Sequence, residues 1–183
     1  FLNLEALTFV NNSGTSTATF SSAQFGTGKL ATSLAVTGTS SAQALVLNLV
    51  AGGSLDLSTW TFTTWTSGTD TITITGATGS ELIVGSSQID RFVVGAANQV
   101  NATDRYDGGG GNDILQIGLA SATSIDFSLS ATDGVNGFLS IEALNFANTA
   151  GTSTATFGSA QFGAGRISNT VAVTGTTATN AIV

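Results

Sequence analysis

Apolar and polar positions alternate with a period of two through much of this chain. Thr71-Ile72-Thr73-Ile74-Thr75, Leu45-Val46-Leu47-Asn48-Leu49 and Ile125-Asp126-Phe127-Ser128-Leu129 follow this pattern. Successive side chains of a strand point to opposite faces, so the period predicts half-buried β-strands. Shorter runs, Thr154-Ala155-Thr156-Phe157 and Val171-Ala172-Val173, read the same way. Gly14, Gly26, Gly38, Gly52-Gly53, Gly68, Gly76, Gly85 and Gly95 punctuate the strands at intervals of about ten residues. Thr, Ser, Gly and Val favour strand or turn over helix. The expectation is an all-β chain of many short strands, either a sandwich or a solenoid.

An internal repeat decides between the two. Residues 1–46 and 138–183 align without a gap at an offset of 137, with 27 of the 46 positions identical. Most differences are mild, such as Leu4 to Ile141, Lys29 to Arg166, Leu30 to Ile167 and Leu34 to Val171. Tandem repetition in an all-β sequence favours a parallel β-solenoid (β-helix or β-roll), in which each coil covers the open edge of the last. Residues 1–137 then form one full period, and residues 138–183 begin the next. Phe1 falls inside a repeat already under way, and Val183 corresponds to Val46 within a strand. The expected whole is a long array of such units. With coils of about 20 residues rising about 4.8 Å each, a period corresponds to about seven coils and roughly 30–35 Å.

Composition narrows the chemistry. The 183 residues contain no Cys, His, Pro or Met. Disulfides, zinc-thiolate sites and Ser-His-Asp or Cys-His catalysis are therefore excluded. A Ser-Lys pair would have to use Lys29, which becomes Arg166 in the second copy. Arginine stays protonated, so this pair is a poor catalyst. Paired carboxylates at Glu5 and Glu142 are better read as structural residues at a coil corner, and no catalytic role is expected. Four basic against eleven acidic residues give a net charge of −7. That disfavours nucleic acid and anionic membrane surfaces as partners and suits a cation. No segment approaches the roughly 20 apolar residues of a membrane helix. Trp60, Phe62 and Trp65 read as core or lateral packing in preference to a sugar-binding platform.

Five of the eleven acidic residues lie between Glu81 and Asp113. Glu81 to Asp90 and Asp104 to Asp113 are each nine residues, and Asp90 to Asp104 is fourteen, or nine plus a five-residue insertion. Two positions after each of these four comes a large apolar or aromatic residue: Ile83, Phe92, Tyr106 and Leu115. The last unit, Gly108-Gly109-Gly110-Gly111-Asn112-Asp113-Ile114-Leu115-Gln116, fits the nonapeptide G-G-x-G-x-D-x-U-x at every defined position. The segment 76–116 thus resembles the haemolysin-type (RTX) calcium-binding repeats of secreted Gram-negative bacterial proteins. Units 76–84, 85–93 and 99–107 keep only part of the pattern.

The resemblance implies a β-roll in which stacked turns hold Ca2+. Its ligands would come from Asp113, Asp104, Asp90, Glu81 and Asp107 and from the turn glycines Gly108, Gly109 and Gly111. Calcium takes six to eight oxygen ligands, and glycine allows the tight turn that aims carbonyls inward. Arg91 and Arg105, each directly after an Asp, are positioned to offset part of the charge. The plain alternative is a solvated acidic turn without metal.

The function expected is a structural repeat of a secreted, extracellular fibre, surface layer or filament on the cell surface of a Gram-negative bacterium. Its partners would be calcium ions and further copies of itself, joined end to end as a homopolymer. An extender region of a giant RTX adhesin is the alternative. A less favoured one is an ice-binding solenoid, suggested by Thr15-Ser16-Thr17-Ala18-Thr19 and Thr152-Ser153-Thr154-Ala155-Thr156.

Overall fold

A computed structural model describes residues 3–11, 13–133 and 135–183. Phe1, the first residue of the first repeat copy, lies outside them. The chain is a parallel β-solenoid of about seven turns, with 3-10 turns as the only helical pieces among the described residues. Its strands are β1 (Leu4–Thr8), β2 (Thr15–Ser21), β3 (Leu30–Thr37), β4 (Ala42–Asn48), β5 (Ser54–Asp56) and β6 (Thr61–Thr63). Then come β7 (Thr71–Thr75), β8 (Leu82–Val84), β9 (Asp90–Val94), β10 (Arg105–Asp107), β11 (Ile114–Ile117) and β12 (Ser124–Asp126). The last are β13 (Gly137–Leu139), β14 (Ile141–Phe146), β15 (Thr152–Thr156), β16 (Ile167–Thr174) and β17 (Thr179–Ile182).

Among the described residues every strand pairing is parallel, and four sheets form the walls. A long seven-stranded sheet runs the whole length in the order β16-β14-β11-β9-β7-β4-β2. An entry sheet, β1-β3-β6, flanks its first coils. A middle sheet, β13-β10-β8-β5, faces the central ones, and an exit sheet, β12-β15-β17, flanks the last. The strand register gives coils of unequal length. Ile72 pairs with Asp90 across the shortest coil of the long sheet, whereas Ile114 pairs with Ala143 across a coil more than half as long again.

The coil length expected from the sequence is therefore too short for most of the chain. Seven coils account for the whole chain instead of one 137-residue period. The longer coils carry an additional strand, β6 between β5 and β7 and β12 between β11 and β13, so their extra residues build the entry and exit sheets as well as corner loops.

In Thr71–Thr75 and along β4 the period-two pattern becomes ladders of stacked side chains, whereas the run Ile125–Leu129, expected as a strand, leaves β12 after Asp126 for a 3-10 turn at Phe127–Leu129. Phe20, Leu47, Ile74, Phe92, Leu115 and Leu144 follow one another in register along the inner face of the long sheet. From Leu47 to Leu144 each is fully buried. Leu55, Ile83, Tyr106 and Phe138 make the matching ladder of the middle sheet. Phe92 and Tyr106 meet edge to face across the core, with ring centroids 6.1 Å apart. The four apolar residues that follow the spaced acids thus form the centre of the core. Trp60 is also core, and its indole N–H donates to the Thr32 carbonyl at 3.0 Å. Trp65 is half-buried against Phe9 and Phe62.

The outer face is mixed. Its columns in the long sheet read Thr17–Ala44–Thr71 and Thr19–Val46–Thr73–Arg91. Threonines therefore do not recur in register on every coil.

Candidate metal centre

The nine-residue spacing of the acids carries the chain from one corner to the other across one strand of the middle sheet, β8 or β10. Glu81 and Asp104 consequently stack on one corner of the solenoid, where the chain passes from the long sheet to the middle sheet. Asp90 and Asp113 stack on the other, where it returns. Partners in each stack are 23 residues apart, one coil including the five-residue insertion. The sequence set these residues in one row; the fold divides them into two columns.

In the first column the Asp90 amide donates to Asp113 Oδ1 at 2.8 Å. The Asp113 amide in turn donates to Glu142 Oε2 at 2.8 Å. Asp90 Oδ2 accepts from the Ser86 amide at 2.6 Å and the Ser86 hydroxyl at 3.0 Å. In the second column the Glu81 amide donates to Asp104 Oδ1 at 3.0 Å, and the Asn101 amide to Asp104 Oδ2 at 2.8 Å. The Tyr106 hydroxyl donates to Glu81 Oε2 at 3.1 Å. Each aspartate thus helps close a corner by accepting an amide that has no strand partner there.

These carboxylates are not solvated: Glu81, Asp90, Asp104 and Asp113 are at most 1% exposed. Three oxygens, Glu81 Oε1, Asp90 Oδ1 and Asp113 Oδ2, are buried without a hydrogen-bond partner. A buried, unpaired carboxylate oxygen is costly, so it calls for a proton or a cation.

Burial pushes the Asp90 carboxyl up to about 7. Burial, reinforced by the nearby Asp90, Glu142 and Asp107, pushes Asp113 to about 8. Glu81 is raised by burial and then by Asp104, and Asp104 is raised by burial. The two arginines do not relieve this charge. Arg105 pairs with Asp107 at 2.7 Å, and Arg91 donates to Gln116 Oε1 at 3.1 Å, both away from the columns.

Three of the four turn glycines make approaches that a side chain would block. A Cβ on Gly108 would lie 2.1 Å from the Ser140 carbonyl oxygen and 2.4 Å from Asp113 Oδ2. On Gly111, which has φ +135°, it would lie 2.3 Å from the Gln88 carbonyl oxygen, and on Gly109, φ +80°, 2.7 Å from that of Ser86. At Gly110, the undefined position of the motif, the nearest atom is 3.8 Å away. Turn 108–113 is thus pressed onto turn 85–90 with backbone oxygens lining the joint.

Asp107 stands apart. It ends β10, pairs with Arg105 and accepts the Gly109 amide at 3.2 Å. No group of three or more acidic side chains converges among the described residues.

The donor set is nonetheless all oxygen. Asp90 Oδ1 and Asp113 Oδ2, on adjacent coils, are its unpartnered donors, and hard oxygen donors of this kind suit calcium. In the second column only Glu81 Oε1 is free in the same way.

Participants outside the four spaced acids and the turn glycines include Glu142, Ser86, Asn101, Tyr106 and Asp70. Asp70 Oδ1 accepts the Gln43 amide at 2.8 Å and so repeats the corner earlier in the solenoid. The rule of an acid followed two residues later by a large apolar residue, applied to the whole chain, finds Asp70 before Ile72 and Glu142 before Leu144, together with Glu5 before Leu7 and Asp133 before Val135.

No helix among the described residues is long and apolar enough to cross a membrane. No protein-family model matches the chain, and neither does a curated protein or a solved structure.

Proposed function

We propose that this chain is a structural repeat of a secreted bacterial filament, fibre or surface layer, whose corners are locked by calcium. The observation that carries the reading is the pair of orphaned oxygens, Asp90 Oδ1 and Asp113 Oδ2, buried on adjacent coils of a solenoid. The RTX-like Gly108–Gln116 segment supports it, and so does the acidic charge of the chain. The 137-residue sequence repeat supports a tandem array of units, joined end to end as the coils are within one unit.

In this reading Asp90 and Asp113 hold the ion, with backbone oxygens of turns 85–90 and 108–113 beside them. Bound calcium supplies the positive charge that lets these carboxylates stay ionised in the core. The chain itself orients them: the Asp90 amide and Ser86 fix the carboxylates, and glycines at 108, 109 and 111 let the turns close. Outside the cell calcium is abundant, so ordering of the corners would be coupled to secretion. Haemolysin-type repeats of Gram-negative bacteria are the basis for placing the protein at that cell surface.

Circular dichroism and thermal melting with calcium and with chelator test the ion. Equal stability in both would remove calcium from the fold. Electron microscopy tests the architecture: ordered filaments support the structural fibre or layer, and a persistently monomeric rod supports the adhesin extender.

A further inference from the structure

The two repeat copies form the same elements on different walls. β1 and β3 lie in the entry sheet and β2 and β4 in the long sheet. Their equivalents β14 and β16 lie in the long sheet, and β15 and β17 in the exit sheet. β2 is the first strand of the long sheet and β14 the sixth. One period is therefore five coils plus a step of one wall, roughly 25 Å at about 4.8 Å per coil.

The second copy also shows what its leading edge rests on. β14 pairs with β11, and β15 pairs with β12. Glu142 accepts the Asp113 amide at 2.8 Å, and the Ser153 hydroxyl accepts the Thr123 amide at 3.0 Å. Phe157 stacks on Phe127 with centroids 4.8 Å apart and planes 6° from parallel, and the Gln161 side chain donates to the Phe127 carbonyl.

The first copy has the same residues at all four positions: Glu5, Ser16, Phe20 and Gln24. Its corner is already shaped, since Asn3 has φ 53° where its equivalent Ser140 has φ 51°. What differs is burial. Leu4 is 40% exposed where Ile141 is fully buried, and Glu5 is exposed where Glu142 is half-buried. Ser16 and Ala18 are half-buried where Ser153 and Ala155 are fully buried.

We infer that the edge formed by β1 and β2 is a docking surface for residues 113–129 of another copy of the 1–137 unit. Glu5 takes that copy's Asp113 amide, as Glu142 does within the chain, and the Gln24 side chain takes its Phe127 carbonyl, as Gln161 does. This inference rests on the tandem reading proposed above and adds the surface, the register and the turn. The contact is head-to-tail and heterologous, so it propagates without closing. Each unit is turned by one wall relative to the last, and the calcium corners wind around the axis.

The test is a chain in which residues 1–137 precede the full 183, followed by amide hydrogen exchange. In the single chain, β1 and β2 should exchange faster than β14 and β15. In the doubled chain, β1 and β2 of the second unit should slow by about tenfold or more, to the level of β14 and β15. Glu5→Ala in the second unit should reverse part of that slowing, while the same change in the single chain leaves exchange unaltered. Unchanged β1 and β2 beside protected long sheets in both units would sink the docking surface and leave the tandem reading standing. An unprotected long sheet in the leading unit would sink both. A structure of the doubled chain with both calcium corners on the same wall would overturn the turn.

Discussion

Asp90 and Asp113 are 23 residues apart in sequence and one coil apart in space, joined by a 2.8 Å hydrogen bond from the Asp90 amide to Asp113 Oδ1. Each carboxylate also keeps one oxygen buried and unpartnered. The bond places two acids on adjacent turns of the core, and their stability depends on what neutralises them.

Calcium should raise the melting temperature. A ligand at a hundredfold its Kd adds about 2.7 kcal/mol, which for a domain of this size is a shift of about 5–10 °C. Differential scanning calorimetry in calcium and in chelator at pH 7.5 measures it. Magnesium, which demands a tighter octahedron, should give a much smaller shift.

The metal-free protein should be more stable at pH 5 than at pH 8.5. Asp90 and Asp113 have folded-state values of about 7 and about 8, above their ordinary 3.8. The folded state then binds more protons than the unfolded one across that window. The stability it supplies is complete below the ordinary carboxylate range and is lost as pH rises through about 7 to 8. Saturating calcium should flatten or reverse the slope. Urea midpoints across pH, with and without the ion, read both effects.

Asp113→Asn and Asp113→Ala should part company. Asparagine keeps an oxygen for the Asp90 amide and carries no charge. Without metal at pH 9 it should therefore be more stable than the parent, by on the order of 1–3 kcal/mol. It should also lose most of the calcium-induced shift. Alanine leaves the Asp90 amide unpaired and should be destabilised under all conditions by about 1–3 kcal/mol. Calcium titration by calorimetry together with chemical denaturation separates the two.

Gly108→Ala and Gly110→Ala lie two positions apart and should differ sharply. The added methyl at 108 would stand 2.1 Å from the Ser140 carbonyl oxygen, whereas at 110 its nearest neighbour is 3.8 Å away. The first should cost about 3 kcal/mol or prevent folding, and the second about 0.5 kcal/mol or less. Thermal denaturation of the two variants decides it.

Much of this molecule was legible in its sequence. Period-two runs such as Thr71–Thr75 became strands because alternate residues must face opposite sides of a sheet. Ile83, Phe92, Tyr106 and Leu115 became core because each follows a buried acid by two positions and so points to the same side. Glycines 108, 109 and 111 stood out in the sequence as a turn, but the close contacts that exclude a Cβ there are seen only once the turns are stacked.

The tertiary structure decided the rest. That Glu81 and Asp104 occupy one corner and Asp90 and Asp113 the other follows from coil length. That length is not constant, as the short coil from Ile72 to Asp90 and the long one from Ile114 to Ala143 show. That Arg105 turns outward to Asp107 and leaves the buried acids uncompensated is set by strand parity within β10. Most of all, identical residues meet different surroundings: Glu142 closes a corner against Asp113 while Glu5 stands exposed. A sequence repeat specifies local conformation, but what a residue packs against is supplied by the coil before it, and that is a property of stacking.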